Sequence, residues 1–213
     1  MRSMNTFTDN QPWRVLLIGG SSGVGKTVVT QALARHFGVS YLLVDDVRLA
    51  LQAFTTVEQY PDLHYFVADP GVWEQSAGAQ RDGLIRVGEA LVPSLAIIAA
   101  HHVVVAGAGP LIIEGDGITP LLAAKRDFPG QEHSPSLMIA DQVCSLFVIE
   151  PEEDAILANM CGRGRGFDQR TLDEQQTQAR ASWLYGQWLQ TEAAQRGLPI
   201  IFSRPWDTLV LQW

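Results

Sequence analysis

Residues 20 to 27 carry the clearest chemical signal in the sequence. In order, they are Gly20, Ser21, Ser22, Gly23, Val24, Gly25, Lys26 and Thr27. They match the pattern G-x-x-x-x-G-K-[ST] at every fixed position. Glycines let the backbone curl so that consecutive N–H groups point at an anion, Lys26 would reach the β and γ phosphates, and Thr27 would ligate Mg²⁺. The stretch follows an apolar run and precedes a helical pattern, which favours a phosphate loop over a turn that binds nothing.

Candidate acid–base residues follow the second apolar run, in the stretch "VDDVR". We expect this strand to end in Asp45 and Asp46, at the sheet edge where parallel strands bind ligands. A carboxylate there can accept the proton of an attacking hydroxyl, and Arg48, one helical turn later, can hold an anionic group of the acceptor. Both aspartates could instead cap the following helix. We assign one to capping and one to catalysis.

The third apolar run ends in "IIEGDG", which places two more carboxylates beside the phosphate loop. Glu114 ends the run and would position Mg²⁺ through water. Asp116 follows a glycine and would contact the acceptor, so we group both with Arg48 in the acceptor-binding set. A solvated turn at the end of the strand is the alternative for each carboxylate.

A third candidate is the stretch "CGRGRGFDQR", residues 161–170, where Arg163 and Arg165 alternate with glycines between two predicted helices. A flexible loop of this kind could fold over the γ-phosphate, neutralise the charge of the transition state and exclude water. A plain helix–helix linker is the alternative. Arg-Gly repeats also bind RNA, but one short copy in an acidic protein is weak evidence for that.

Apolar strands alternate with helical patterns along the chain, which predicts an α/β fold with a doubly wound, mainly parallel five-stranded sheet. We expect a single domain over 1–213, with residues 1–12 as a flexible extension. Residues 55–80 are irregular and rich in aromatic rings, which indicates an insertion that binds the acceptor together with the loop at 117–137. Residues 82–106 read as a long helix with a kink at Pro93, and 125–137 as a polar loop.

Composition limits the possible partners. A net charge of −8 argues against broad nucleic-acid or anionic-membrane surfaces, and two cysteines without metal-ligand spacing favour a reducing, cytoplasmic setting. Residues 90–113 contain no Asp, Glu, Lys or Arg, but proline and small residues interrupt them, so we interpret them as a buried helix and strand rather than a membrane span. The aromatic face at 183–189 is either core or the seam of a homodimer.

The stretches "IGGSSGVGKT" and "LVDDVRLAL" together resemble the small P-loop phosphotransferases. These include 2-phosphoglycerate kinase, the chloramphenicol phosphotransferase and zeta-toxin group, shikimate and gluconate kinases, and the kinase domain of polynucleotide kinase. The resemblance implies a nucleoside-monophosphate-kinase-like fold, Asp45 as the base and Arg48 as the acceptor-binding arginine. It also implies a lid at 161–170 and adenine contacts from Arg204 and Pro205. The run "IIEGDG" departs from a simple Walker B pattern, in which the acid directly ends the strand.

The leading hypothesis is an ATP- and Mg²⁺-dependent kinase that phosphorylates a hydroxyl of a small molecule. Asp45 would be the base, Lys26 with Arg163 and Arg165 would stabilise charge, and Thr27 would ligate the metal. ATP is favoured over GTP because no guanine-reading N-K-x-D occurs. The alternative is a regulatory or assembly NTPase that needs no acceptor pocket. A polynucleotide kinase would share "DDVR" but require a basic groove.

Overall fold

A computed structural model describes residues 13–105, 107–130, 136–163 and 166–203. Five parallel strands form the central sheet in the order β2-β3-β1-β6-β7, and two short antiparallel strands form a separate pair, β4 and β5. The strands are β1 Val15–Gly20, β2 Ser40–Leu43, β3 Leu111–Glu114, β4 Asp127–Pro129, β5 Ser136–Met138, β6 Val143–Ile149 and β7 Ile200–Phe202. The predicted α/β class with a parallel five-stranded sheet is confirmed.

Seven α-helices connect and flank these strands within the described ranges. They are α1 Lys26–Phe37, α2 Val44–Phe54, α3 Tyr65–Ala68, α4 Ala77–Val104, α5 Pro120–Ala123, α6 Glu153–Cys161 and α7 Leu172–Gln195. Short 3-10 turns lie at 70–74, 140–142 and 167–169.

Strand β1 shows why helices cover both faces of the sheet. All six of its residues are buried, and successive side chains point to opposite faces. Val15 and Leu17 belong to a core cluster that includes α4 and the inner face of α7, whereas Leu16 and Ile18 pack with α1 and α6. A strand buried on both sides needs a continuous apolar run, which is the pattern the sequence shows here.

The second strand ends earlier than its sequence predicts. Strand β2 stops at Leu43, opposite Glu114 at the end of β3, so there is no neighbouring backbone left to pair with. Helix α2 begins at Val44, and Asp45 and Asp46 lie in its first turn. The prediction that these aspartates end a strand is therefore wrong. Carboxylates are favourable in this position because the N-terminus of a helix carries partial positive charge.

Other local predictions also need correction. Residues 127–129 and 136–138 pair as β4 and β5, within the segment predicted as a polar loop. Helix α4 begins at 77, after Ser76 accepts a hydrogen bond from the Ala79 amide, and it continues through Pro93 to 104. The irregular segment at 55–80 contains α3 and the 3-10 turn at 70–74.

Helix α4 is the one described helix that is long and apolar enough to cross a membrane by length and composition. In this fold, Leu91, Leu95 and Ala99 are buried in the core cluster that α4 shares with β1, β3 and α7. In the aromatic face at 183–189, Tyr185 and Leu189 are fully buried in the core, and the Trp188 ring stacks on Tyr185 at 5.6 Å between centroids. Trp183 and Trp188 are half-buried against the core, and the homodimer seam stays a prediction.

The Tyr185 hydroxyl ties α7 to the loop after β3, because it donates a 2.6 Å hydrogen bond to the backbone carbonyl of Asp116. We predict that Tyr185→Phe lowers the free energy of unfolding by about 1 kcal/mol, since the buried carbonyl loses its donor while the ring packing stays. Urea or thermal unfolding measures this. Tyr60→Phe, at a tyrosine that is 55% exposed, is the matched control and should be neutral. Equal stability of Tyr185→Phe and wild type would contradict this role.

Candidate active site

The phosphate loop connects β1 to α1 through three glycines with positive φ. Gly23 and Gly25 have φ angles of +87° and +88°, a conformation that favours glycine, and Gly25 directly precedes α1. A Cβ added to Gly20 would lie 2.5 Å from the carbonyl oxygen of Val148 on β6. The glycines of the motif are therefore required by the path of the backbone and by its close approach to β6.

Side chains from three helices hold the carbonyl groups of this loop. The Lys26 ammonium donates to the Ser21 carbonyl at 2.8 Å, the Ser182 hydroxyl to the Ser22 carbonyl at 2.6 Å, and the Asn159 amide to the Gly23 carbonyl at 2.8 Å. The C=O and N–H of one peptide unit point in opposite directions. Within the described residues, no amide from 21 to 25 donates a backbone hydrogen bond. Among the described residues, the loop thus has a run of amides without a backbone partner at a helix N-terminus, an arrangement that is able to bind an anion.

Lys26 is buried, with 5% of its side chain exposed, and its ammonium forms an ion pair with Asp116 at 2.5 Å. Asp116 lies in the turn after β3 and keeps 38% of its side chain exposed. The predicted neighbourhood of these two residues is therefore present. The Asp116 carboxylate offsets the buried charge of Lys26, which would otherwise be costly. A bound phosphate would compete with Asp116 for the same ammonium group.

Glu114 lies at the end of β3 beside Thr27 and is 5% exposed. Burial raises the pKa of this carboxyl, while the Lys26 charge and a hydrogen bond from Thr27 lower it in part. Within the part of the chain that the structure describes, its Oε2 has no hydrogen-bond partner, and neither does the buried hydroxyl of Ser21 in the loop. Unpaired buried oxygens are uncommon in folded proteins. Carboxylate and hydroxyl oxygens are hard ligands, so Thr27 and Glu114 fit a hydrated Mg²⁺.

A cavity of about 280 Å³ opens beside the loop, and we call it the acceptor-side cavity. Its wall includes Ser22 of the phosphate loop, both Asp45 and Arg48 of α2, and Asp116. The rest of the wall comes from the insertion, from the turn after β3 and from α2, α4, α6 and α7. It consists of Val44, Phe66, Val67, Trp73, Gln80, Leu84, Val87, Gly88, Leu91, Gly117, Met160, Gln178, Ala181 and Ser182. Four predicted site residues and part of the predicted aromatic insertion therefore surround one space.

The two aspartates of "VDDVR" occupy different environments. Both side chains are exposed, but Asp45 lines the acceptor-side cavity, whereas Asp46 does not belong to the described wall of that cavity. Arg48 donates to Oδ1 of Asp45 at 2.9 Å, a pairing of residues one turn apart. This contact fixes the carboxylate and occupies one of its two oxygens. Position therefore favours Asp45 over Asp46 as the proton acceptor.

Arg163, at the beginning of the predicted lid, lines a second cavity of about 190 Å³, which we call the lid-side cavity. Ser22, Met160, Gly166, Phe167, Arg170 and Gln178 complete its wall. The guanidinium of Arg170 lies over the Trp73 ring, 4.6 Å from its centroid, so the end of the lid contacts the insertion. Arg165, Arg204 and Pro205 lie outside the described residues, and their predicted roles stay predictions.

Sequence reasoning missed four residues of this site. Asn159 and Ser182 support the loop carbonyls, Arg170 contacts Trp73, and Gln178 lines both cavities. All four lie 130 or more residues after the loop, and no local motif marks them. Arg170 alone had a signal, since it ends the arginine-bearing stretch that we assigned to the lid.

Comparisons with known proteins were made at the level of sequence and of structure. No protein-family model matches the chain, and neither does any curated protein. Among solved structures, matches include a gluconokinase from Sinorhizobium meliloti (13% identity, 94% of this chain and 89% of that chain, TM-score 0.45). A shikimate kinase from Bacteroides thetaiotaomicron also matches (14%, 93% and 94%, TM-score 0.42). So does an uncharacterized protein from Eubacterium ventriosum (14%, 95% and 96%, TM-score 0.39). Two of these names belong to kinase classes that the sequence resembles, but similarity at this level assigns the chain neither activity nor substrate.

Glu114 gives the site a predictable dependence on pH and metal. Because its pKa is raised in the folded state, the folded protein holds this proton more tightly than the unfolded chain does. The stability that the protonated Glu114 contributes is therefore fully present below the pKa of the unfolded chain. It is lost as the pH rises through the higher pKa of the folded protein. We predict that Glu114→Gln raises the free energy of unfolding at pH 7 by about 1 kcal/mol and has little effect below the unfolded pKa. Thermal unfolding across pH measures this.

The same variant tests the metal assignment. With ADP present, Mg²⁺ should raise the melting temperature of the wild type further, and Glu114→Gln should lose most of that extra rise. Asp46→Asn removes an exposed carboxylate next to the site and serves as the control. An unchanged Mg²⁺ response in Glu114→Gln would contradict the proposed role in metal binding.

The contact between Arg170 and Trp73 predicts an energetic coupling between lid and insertion. In a double-mutant cycle of Trp73→Leu and Arg170→Met, we expect a coupling of about 0.5–1 kcal/mol in unfolding free energy. Arg180→Met is the matched control, because Arg180, ten residues later on α7, pairs instead with Glu153 at 3.5 Å. Additive effects of the first pair would show that the ring and the guanidinium do not interact in solution.

Proposed function

We propose that the chain is an ATP- and Mg²⁺-dependent kinase that transfers the γ-phosphoryl group to a hydroxyl of a small molecule. The observation that carries this proposal is the acceptor-side cavity, in which Asp45 and Ser22 of the phosphate loop line the same space. A nucleotide held by the loop and a molecule in this cavity would be neighbours. An NTPase that only senses or hydrolyses ATP has no need of such a pocket.

Proton transfer is assigned to Asp45. The acceptor hydroxyl gives its proton to the free carboxylate oxygen, the resulting oxygen attacks the γ-phosphorus, and the bond from that phosphorus to the leaving ADP oxygen breaks. Arg48 holds the other carboxylate oxygen at 2.9 Å and so orients the base. Asp45 keeps 66% of its side chain exposed, which leaves it accessible to an incoming hydroxyl.

Charge stabilisation is assigned to the loop and the lid. The unpaired amides of residues 21–25 and the Lys26 ammonium would bind phosphate oxygens, and Lys26 would leave Asp116 to do so. Arg163 reaches the same region from the lid-side cavity, where it shares a wall with Ser22. Mg²⁺, when held by Thr27 and through water by Glu114, would offset further phosphate charge.

A screen identifies the acceptor. The protein is incubated with labelled ATP and pools of metabolites, and the compound that gains the label is isolated. We expect an alcohol to be labelled. Retained ATP binding with no labelled compound in any pool would instead support a regulatory or assembly NTPase.

The variants Lys26→Ala, Asp45→Asn and Asp46→Asn separate nucleotide binding from transfer. Lys26→Ala should lose ATP turnover. Asp45→Asn should bind ATP as the wild type does and lose about 10²–10⁴-fold in kcat, because the base is removed while the phosphate site is intact. Asp46→Asn is the matched control and should retain full transfer. Wild-type kcat in Asp45→Asn would overturn the assignment of the base.

A further inference from the structure

The acceptor-side cavity holds no uncommitted positive charge among its described wall residues. Its charged groups are two carboxylates, Asp45 and Asp116, and one guanidinium, Arg48. Arg48 is paired with Asp45, and Asp116 is paired with Lys26. An anionic acceptor would therefore find no unpaired cation on the described wall to balance its charge. An unpaired charge in a cavity partly shielded from water is costly.

Two arginines of α4 near the insertion are engaged elsewhere. Arg81 forms an ion pair with Asp82 at 2.6 Å, and Arg86 lies 4.2 Å from the centroid of the Tyr65 ring. Neither belongs to the described wall of the cavity. Arg48, which the sequence predicts to bind an anionic group of the acceptor, donates through one guanidinium nitrogen to Asp45, so an anionic group would share that guanidinium with the carboxylate.

The remaining wall is mostly apolar and is firmly positioned. The rings of Phe66 and Trp73 lie 5.1 Å apart between centroids and form one side. Gln80 is buried, and its amide donates to the backbone carbonyls of Trp73 at 3.1 Å and Gln75 at 3.0 Å. The aromatic wall is therefore held by hydrogen bonds rather than by packing alone, and it suits an apolar or ring-bearing body.

Gln178 on α7 supplies a polar group that the fold itself does not use. It lines both cavities, as Ser22 does, and its buried Oε1 has no hydrogen-bond partner among the described residues. A buried carbonyl oxygen without a donor is unfavourable, and a hydroxyl or N–H group of a ligand would relieve that cost. Because Ser22 belongs to the phosphate loop, a ligand bound to Gln178 would lie close to the transferred group.

We propose that the acceptor is an uncharged, ring-bearing alcohol, and that Gln178 selects it by accepting a hydrogen bond from a second hydroxyl or N–H group. This inference rests on the proposed kinase activity and narrows its substrate class. An apolar body would lie against Phe66 and Trp73, one hydroxyl would face Asp45, and the second donor would reach Gln178. An acid or a phosphorylated alcohol would find no unpaired cation on the described wall, so we expect it to be a poorer acceptor.

Three matched probes test the charge and the donor separately. Phenoxypropanediol is a neutral ring-bearing diol, phenoxypropanol lacks its terminal hydroxyl, and phenoxylactate carries a carboxylate in place of the terminal alcohol. Transfer from labelled ATP gives kcat/KM for each. We expect the diol to exceed phenoxylactate by about 100-fold or more and phenoxypropanol by about 10-fold, because a site built for a donor rejects an analogue without it.

The variants Gln178→Met and Gln176→Met test the assignment to one residue. Gln178→Met should reduce the preference for the diol over phenoxypropanol to about 2-fold or less, mainly through KM of the diol, since only the second donor loses its partner. Gln176 lies on the exposed side of the same helix, so Gln176→Met is the matched control and should keep the full preference. An unchanged preference in Gln178→Met would overturn the role of this residue.

The outcomes distinguish this inference from the proposed function. Equal or better labelling of phenoxylactate overturns the uncharged-acceptor inference, while the kinase assignment survives because phosphoryl transfer occurred. If none of the three probes is labelled, the compound labelled in the metabolite screen decides. An anionic acceptor or one without a ring overturns the inference, and a neutral ring-bearing alcohol upholds it. Absence of label in both experiments overturns the kinase assignment itself.

Discussion

The structure around the site depends on how the carbonyl groups of the phosphate loop are held. Lys26, Asn159 and Ser182 each take one carbonyl of residues 21–23, and the amides that follow have no backbone partner within the described chain. Unpaired amides are unfavourable unless an anion or water binds them, so the fold maintains a binding site at the cost of stability. Helices α6 and α7 must pack closely on the loop for this purpose. A Cβ on Gly23 would already meet Met160 at 3.2 Å.

The same packing forms both cavities. Helix α7 presents Ser182 to the loop, and one turn away it presents Gln178 to the two spaces on either side. The Tyr185 hydroxyl then fixes the backbone of Asp116, the residue that pairs with Lys26. One helix thus connects the phosphate loop, the lid and the turn after β3. Changes on its inner face are therefore expected to alter nucleotide and acceptor binding together, because these sites share supporting contacts.

Buried oxygens without partners are concentrated at this site. Ser21 Oγ, Glu114 Oε2 and Gln178 Oε1 belong to the loop, the strand beside it and the cavity wall, and they are three of the four such atoms among the described residues. Each is costly in the folded chain by itself. Their common location is consistent with a ligand that completes the site. Native proteins commonly accept such local cost where they bind or react.

The sequence by itself determined the phosphate loop, the sheet and its approximate strands, because a fixed local motif and continuous apolar runs carry that information. It also identified Asp45, Arg48, Glu114 and Asp116, since the carboxyl ends of parallel strands meet at one edge. Only the tertiary structure decided that Asp45 lies in a helix and lines the cavity, whereas Asp46 lies outside its described wall. Only the structure placed Gln178 and Ser22 around the same two cavities, although more than 150 positions separate them along the chain. Contacts of that kind arise from helix packing against the sheet, and no local pattern of residues encodes them.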